Sequence, residues 1–186
     1  MHLLTEKGYQ EFVLTGIHIG SYGLDLKDVA LIDLLEALHE IEGVKRIRIG
    51  SVEPRLITDD FIHRLKDLPK VCDHFHLSLQ SGSITVLKRM NRKYTPDDFL
   101  ASVARLRSIY EAPSLTTDLI VGFPGETEVE FAETMAFVEK VAFSEIHVFQ
   151  FSKREGTPAA TMPDQVEGRV KKARSEALIQ LGKQLN

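Results

Sequence analysis

Glycine-rich and polar segments follow several apolar runs in this sequence, and their residue types and spacing could do chemistry. The segments are Thr15–His18, Gly50–Pro54, Gln80–Ser83, Val121–Glu126 and Gln150–Ser152. Glycine lets a backbone approach a flat or anionic ligand closely, and a helix that begins after such a turn offers free N–H donors. The pattern therefore predicts a ligand site at one set of strand ends.

The segment Gly122–Thr127 has the clearest mechanical sense of these. Its glycines permit a tight turn, and a helix beginning after Thr127 would present N–H groups to a ligand. It lacks the G-x-G-x-x-G spacing of a dinucleotide fingerprint, and glycine and proline are common in any strand-to-helix turn. A ligand-binding turn and an ordinary turn are both open at this point.

Two ionisable residues follow predicted strands at the end where ligands bind. Glu53 could receive an ammonium group or ribose hydroxyls, or it could cap the helix predicted near residues 56–68. His18 is a candidate ligand-pocket residue. His74 and His76 alternate on one strand face, a spacing that binds zinc in some barrels. They lie four or more residues before Gln80, at the amino end, so structural histidines are favoured.

Cations are concentrated in two places. Lys88, Arg89, Arg92 and Lys93 precede Tyr94, an arrangement that suits a phosphate backbone, although a solvated helix end is the alternative. The second group interleaves with acids in the last predicted helix and reads as a mixed exposed face. Its members are Arg169, Lys171, Lys172, Arg174 and Lys183.

Five apolar runs must position these residues. They are Phe12–His18, Arg46–Val52, His74–Leu79, Leu115–Phe123 and Glu145–Phe151. Segments of helical periodicity separate them, and no gap is short enough for a hairpin, so the strands should pair in parallel through right-handed crossovers. The predicted class is α/β.

Three segments carry helix start signals. Thr95 precedes a proline and two acids, Thr127–Glu130 reads as a capping box, and Asp164–Glu167 repeats that device. A closed eight-unit barrel uses about 250 residues, whereas five units occupy this chain, so an open partial (β/α) barrel is expected. We expect residues 1–163 to form it and residues 164–186 to form a helix leading toward a missing domain.

Composition bounds the function. A net charge of −4 gives no overall field for a polyanion, so contact with RNA would need local patches. No apolar stretch reaches membrane-spanning length and no signal peptide is evident, which predicts a cytoplasmic protein that has no membrane partner. Cys72 is the only cysteine, so it can neither form an internal disulfide nor hold an iron–sulfur cluster alone.

Several strings, taken together, resemble the radical S-adenosylmethionine methylthiotransferase family over nearly the whole chain. They are Leu14–Gly16 with Tyr22–Gly23, His76–Ser83, Val86–Met90, Thr117–Thr127 and Ser152–Ala160. Arg46–Ile49 and the run His147–Arg154 most resemble the branch that acts on N6-threonylcarbamoyladenosine beside the tRNA anticodon. Sister branches act on isopentenyladenosine or on a ribosomal protein aspartate.

The resemblance implies S-adenosyl-L-methionine and two 4Fe–4S clusters in the full-length protein, with tRNA as substrate. One cluster would be held by a C-x-x-x-C-x-x-C loop and one by an N-terminal domain, while a C-terminal β-barrel would grip the RNA. The protein's share of the chemistry is to aim the cofactor's reactive atom and exclude side reactions. The reductant protein is not indicated.

The resemblance also implies cofactor-binding positions. The segment 16–18 would face the methionine amino group, and the segment 118–121 would face the adenine. The remaining positions would contact the methionine carboxylate and the ribose or form the edge of the pocket. The full set is Gly16, Ile17, His18, Glu53, Gln80, Ser81, Asp118, Ile120, Val121, Gly122, Phe151 and Ser152.

This sequence departs from the family pattern because the cluster-binding cysteines are absent. A truncated chain that is inactive alone and binds no cluster is therefore expected. Its first apolar run would be an unpaired sheet edge that invites self-association. Two other classes stay open: a metal-dependent barrel hydrolase using His18, Glu53, His76 and Asp118, and a non-catalytic RNA-binding barrel that uses the Lys88–Lys93 patch.

Overall fold

The structure is a computed structural model that describes residues 1–185. Five strands form one sheet in the order β1-β2-β3-β4-β5, and the registered pairs are parallel. The strands are β1 Glu11–Leu14, β2 Arg46–Val52, β3 Val71–Leu77, β4 Ser114–Val121 and β5 Glu145–Gln150. The parallel α/β class predicted from the sequence is confirmed.

Helices alternate with these strands. They are α1 His2–Thr5, α2 Leu31–His39, α3 Asp59–Leu65, α4 Ile84–Arg89, α5 Pro96–Ile109, α6 Glu128–Val141, α7 Pro158–Thr161 and α8 Gly168–Leu185. Short 3-10 turns lie at Ile19–Ser21 and Pro54–Leu56. Within residues 1–185, no helix has the length and apolar character needed to cross a bilayer.

The chain divides into two compact units. Unit 1 contains residues 1–77 and 102–114, with strands β1 to β3 and their helices. Its core is built on Leu35, Ile47 and Phe75, which are fully buried. Arg64 on α3 ties that helix to α2, donating to Asp33 at 2.5 Å and to Glu36 at 2.7 Å.

Unit 2 contains residues 78–101 and the described residues from 115 onward, with β4, β5, α4, α6, α7 and α8. An aromatic cluster forms part of its core, because the Phe99 ring centroid lies 5.8 Å from those of Phe137 and Phe143. The final helix, α8, packs against α6 and β5.

Strand boundaries differ from the sequence expectation in β3. This strand begins at Val71, three residues before the predicted run, and ends at Leu77. His76 is therefore its penultimate residue, at the carboxyl end of the strand. The prediction that both histidines lie at the amino end is wrong for His76. The strand is buried on one face only, so Cys72 and Asp73 interrupt its apolar pattern and its first residues were not recognised as strand.

Two of the three predicted helix starts are confirmed. Thr127 and Glu130 form a reciprocal capping box at α6, and Thr95 exchanges the same pair of hydrogen bonds with Asp98 at α5. The start predicted at Asp164 is wrong. Asp164 adopts a positive φ of 57° and its carbonyl accepts from Gly125 N–H at 2.8 Å, so α8 begins later, at Gly168.

The capping box gives a test of local stability. Thr127→Ala removes the hydroxyl that accepts the Glu130 N–H, so we expect the free energy of unfolding in urea to fall by about 1 kcal/mol. The matched control is Val129→Ala, at an exposed position of the same helix, which should change it by less than about 0.5 kcal/mol. Equal effects of the two substitutions would contradict a specific role of the cap.

Candidate functional site

In unit 1, two predicted site residues meet beyond the carboxyl ends of β1 and β2. The Nε2 atom of His18 lies 3.1 Å from Oε1 of Glu53, and both side chains are partly exposed. Glu53 precedes the Pro54–Leu56 turn, but its side chain makes no capping hydrogen bond. The helix-cap alternative for Glu53 is therefore wrong. Gly16 and Ile17 follow β1 in the same exposed turn.

In unit 2, the carboxyl ends of β4 and β5 border a cavity of about 530 Å³, which we call the rim cavity. It contains five of the predicted cofactor-binding residues. Its walls are Gln80, Asp118, Ile120, Phe149, Gln150, Phe151, Ser152, Arg154, Thr157 and Ala159. Val121 and Gly122 are buried behind it and do not line it.

Strand register explains which side chains reach the rim cavity. Asp118 and Ile120 alternate with buried Leu119 on β4, so they share one face of the sheet. Phe149 lies directly opposite Ile120 on β5, and its side chain is 54% exposed. The side chains of Ile120 and exposed Phe149 lie side by side and form a flat apolar surface on which an aromatic ring can stack.

Gln80 enters the cavity wall through an unusual backbone. Its N–H donates to Asp118 O and its carbonyl accepts from Ile120 N–H, both at 2.9 Å, which extends the sheet by one residue. Its φ is +68°, a left-handed conformation that costs a side chain with a Cβ about 1–2 kcal/mol. This backbone conformation places the Gln80 side chain in the wall of the rim cavity.

Ser81 has a different environment from the one that the resemblance implied. It is buried, and its hydroxyl lies 3.2 Å from Oγ1 of Thr134 on α6. The neighbouring Gly82 also packs on α6, because a Cβ there would lie 2.8 Å from Thr134 Cα. The pair therefore docks the end of the loop onto α6, and only Gln80 of this segment lines the rim cavity.

The Gly122 turn is closed by a carboxylate of its own chain. The Gly122 N–H donates to Oε2 of Glu126 at 2.6 Å, and the glycine has a φ of +71°. A Cβ at this position would lie 2.1 Å from Cγ of Lys171. The glycine thus makes room for a lysine stem of α8, and its amide is already used within the turn.

Glu126 is in turn held by Arg174 of α8. The guanidinium donates from Nη1 to Glu126 Oε2 at 2.8 Å and to the Glu126 carbonyl at 3.0 Å, and both side chains are buried. Its Nη2 reaches Glu128 at 2.6 Å, and its Cζ lies 5.5 Å from the Phe131 ring centroid. Burial raises the pKa of the Glu126 carboxyl, although Gly122 and Arg174 both favour its ionised form.

A second bond joins α8 to the end of β5. Lys171 donates from Nζ to the carbonyl of Phe151 at 2.9 Å. The interpretation of the α8 cations as a mixed exposed face is therefore wrong for Arg174 and incomplete for Lys171. Arg174 lies four residues after Val170 and four before the buried Leu178, and that spacing was the signal that it faces inward.

The four cations of the Lys88–Lys93 run have different environments. Arg89 forms two 2.8 Å bonds with Glu130, whose carboxyl pKa this hydrogen bonding lowers to about 2. Lys93 donates to the side chain of Asn91, and both Lys88 and Lys93 are exposed. Arg89 therefore has an internal partner, which the sequence pattern did not indicate.

The fit of the implied cofactors can be tested on these residues. An iron–sulfur cluster needs three or four thiolates, and the chain has one, on partly exposed Cys72 in β3, so the residues of this chain do not fit a cluster. The rim cavity does suit an adenosyl group, because it pairs an apolar platform with the polar side chains of Gln80, Asp118 and Ser152.

A parallel α/β sheet with a ligand cavity at its carboxyl ends defines the class of protein. The Radical SAM superfamily model matches residues 2–138 of this chain. The chain belongs to that superfamily, whose members use S-adenosylmethionine together with a 4Fe–4S cluster.

Curated relatives narrow the family. The chain is 52% identical over 183 residues to the threonylcarbamoyladenosine tRNA methylthiotransferase MtaB of Bacillus subtilis, which is 98% of this chain and 41% of that protein. It is 49% identical over 179 residues to a tRNA-2-methylthio-N6-dimethylallyladenosine synthase of Thermoanaerobacter, which is 96% of this chain and 38% of that protein. The chain spans about two fifths of the length of these relatives. The resemblance to methylthiotransferases is confirmed.

Solved structures support the fold. Coproporphyrinogen III oxidase HemN of Escherichia coli aligns with a TM-score of 0.66 at 22% identity, over 82% of this chain and 36% of that chain. The radical methyltransferase TsrM of Kitasatospora setae aligns with a TM-score of 0.67 at 14% identity, over 86% and 31%. The predicted partial barrel of the radical SAM type is thereby confirmed.

The buried ion pair yields a pH-dependent prediction. Arg174→Met leaves the Glu126 carboxylate without its cation, so we expect the free energy of unfolding to fall by about 3 kcal/mol at pH 8. Burial already raises the folded-state pKa of this carboxyl above its unfolded value, and removal of Arg174 raises it further. The unpaired carboxylate thus destabilises the folded state above that pKa, and protonation relieves this as pH falls. The difference in the free energy of unfolding between Arg174→Met and the unsubstituted chain should therefore be smaller at pH 5 than at pH 8.

The control for this prediction is the double variant Arg174→Met with Glu126→Gln. Because it removes the buried charge along with its partner, it should unfold with a higher free energy than Arg174→Met at pH 8 and should lose the pH dependence of the deficit. Urea denaturation at both pH values measures these differences. A deficit of the same size at pH 5 and pH 8 would contradict the assignment to a buried carboxylate.

Proposed function

We propose that this chain is the catalytic-domain portion of a cytoplasmic enzyme that methylthiolates N6-threonylcarbamoyladenosine next to the tRNA anticodon. The observation that carries the proposal is the 52% identity, over 98% of this chain, to a relative named for that activity. The adenosyl-sized rim cavity at the strand ends supports the cofactor that such an activity needs.

A methylthiotransferase acting on isopentenyl-type adenosine is the second candidate. The 49% identity to a dimethylallyladenosine-modifying relative favours it as a specific alternative. The third branch, which acts on a ribosomal protein aspartate, is less well supported, because the two relatives reported above are named for tRNA. The substrate nucleoside is therefore the point that an experiment must decide.

The residues of this chain would bind and orient S-adenosyl-L-methionine. We propose that the adenine lies against Ile120 and Phe149 in the rim cavity, with Gln80, Asp118 and Ser152 supplying polar contacts. The family resemblance alone, and not the geometry, makes the His18–Glu53 pair of unit 1 a further proposed cofactor contact. The clusters and the electron-transfer chemistry that they supply belong to segments of the full-length protein that carry cysteines, and the Lys88–Lys93 patch would contribute to tRNA binding.

Product analysis tests this function. Extending the chain upstream to include a cysteine triplet should give a protein that gains iron–sulfur absorbance on reconstitution, whereas the 186-residue chain should bind no iron and S-adenosylmethionine only weakly. The full-length protein, expressed in cells that lack their own methylthiotransferases, should produce methylthiolated threonylcarbamoyladenosine in digested tRNA. Methylthiolated isopentenyladenosine alone would favour the second candidate. The absence of both methylthiolated nucleosides would overturn the proposal.

Gln80 separates binding from stability. Gln80→Gly relieves a positive φ of 68° but removes a side chain from the rim cavity, so we expect an unfolding free energy higher by about 0.5–1 kcal/mol together with weaker S-adenosylmethionine binding in the reconstituted longer protein. The control is Ala142→Gly, which relieves a φ of 52° at the end of α6. Ala142→Gly should raise the free energy of unfolding by a similar amount and leave the affinity for S-adenosylmethionine unchanged. Equal affinities of the two variants would contradict a role of the Gln80 side chain in binding.

A further inference from the structure

A second cavity in unit 2 adjoins the rim cavity and is lined by two arginines. Its volume is about 560 Å³, and we call it the arginine cavity. Its walls are Arg89, Met90, Asn91, Arg92, Ile120, Phe123, Phe151, Thr157, Pro158, Ala159 and Met162. Four of these, Ile120, Phe151, Thr157 and Ala159, also line the rim cavity, so the two cavities share a wall.

Two guanidinium nitrogens at the arginine cavity lack partners. The Nε atoms of Arg89 and Arg92 are buried and make no hydrogen bond. A buried donor without an acceptor costs about 1–3 kcal/mol, and such groups are rare in folded proteins. Nη1 and Nη2 of Arg92 are not among these buried atoms and make no hydrogen bond with the described residues, so they are the donors that a ligand in the cavity would meet.

The charge balance of the cavity indicates that the acceptor is anionic. Glu130 neutralises Arg89 through two bonds, but within residues 1–185 no carboxylate pairs with Arg92. A guanidinium binds phosphate oxygens well because its planar donors match their geometry. Arg92 therefore contributes one uncompensated positive charge to a wall that is otherwise largely apolar.

The apolar part of the cavity suits a planar ring. Phe123 and Phe151 pack edge to face with centroids 5.2 Å apart, and Met90 and Met162 complete the surface. Aromatic side chains bind nucleobases by stacking without regard to sequence. A base together with one phosphate is thus a ligand class that satisfies both the apolar wall and Arg92.

We propose that the arginine cavity binds one nucleotide of the RNA substrate, with the base against the apolar wall and a phosphate oxygen accepting from Arg92. The proposal rests on the proposed function, because the shared wall would place this nucleotide beside the cofactor. Exposed Lys88 and Lys93 flank Arg92 in the chain, and they would meet neighbouring phosphates, which favours a nucleotide within a strand over a free one.

Binding of a short RNA tests the proposal on the 186-residue chain itself. The probe is a fluorescein-labelled RNA of five adenosines, and its dissociation constant is measured by anisotropy at low salt. Arg92→Met keeps an apolar stem but removes the charge and the donors, so affinity should fall about tenfold or more. Arg92→Lys keeps the charge but loses the fork of donors, so its affinity should be intermediate.

The matched control is Arg169→Met, the same change at an exposed arginine of α8. It should leave the affinity within about twofold, since Arg169 is already paired with Glu167 and does not line the arginine cavity. Equal losses in Arg92→Met and Arg169→Met would overturn the proposal, because they would reveal a non-specific charge effect. Circular dichroism of each variant checks that it folds, and Arg92→Lys supplies the test if Arg92→Met does not.

Competition distinguishes the occupants. Adenosine 5′-monophosphate should displace the probe weakly and adenosine more weakly still, whereas S-adenosylmethionine should not displace it. Displacement by S-adenosylmethionine, or a chain that binds the mononucleotide but does not bind the RNA probe, would overturn the proposal. A full-length enzyme that makes no methylthiolated nucleoside would overturn the proposed function, but RNA binding that depends on Arg92 could still be measured. The failure of the proposed function and the failure of the RNA site are therefore distinguishable.

Discussion

The carboxylate of Glu126 is held at the end of β4 by one donor from its own turn and by one from a helix far along the chain. Gly122 N–H and Arg174 Nη1 approach it at 2.6 and 2.8 Å. A carboxylate this deeply buried would be costly if either donor were missing. The ion pair therefore adds little net stability, but it permits only one arrangement of the turn and of α8.

That constraint reaches the ligand cavities through the strand ends. With Arg174 fixed, α8 also brings Lys171 to the Phe151 carbonyl at the exit of β5 and its stem across Gly122 at the exit of β4. Ile120 and Phe151, which form the wall between the rim cavity and the arginine cavity, each lie within two residues of those anchors. The geometry offered to a ligand is thus set by α8, a helix that lines neither cavity.

Sequence reasoning succeeded where the determining interactions are local. The capping boxes at Thr127 and Thr95 depend on residues three apart, and the bounds predicted for β2 match the structure to the residue. It failed where the partner is distant. The start of α8 was misplaced because Asp164 bonds to Gly125, and the role of Gly122 depends on Lys171, 49 positions later. Such pairs leave no periodic signal in a single sequence.

Internal pairing also limits the positive charge that this chain can offer to a polyanion. Its net charge is −4, and strong cations such as Arg89 and Arg174 are neutralised by buried or partly buried acids. Few phosphate contacts can then form, and each contributes little at physiological salt. In the RNA site that we propose, stacking of a base on the apolar wall of the arginine cavity would therefore have to supply much of the affinity.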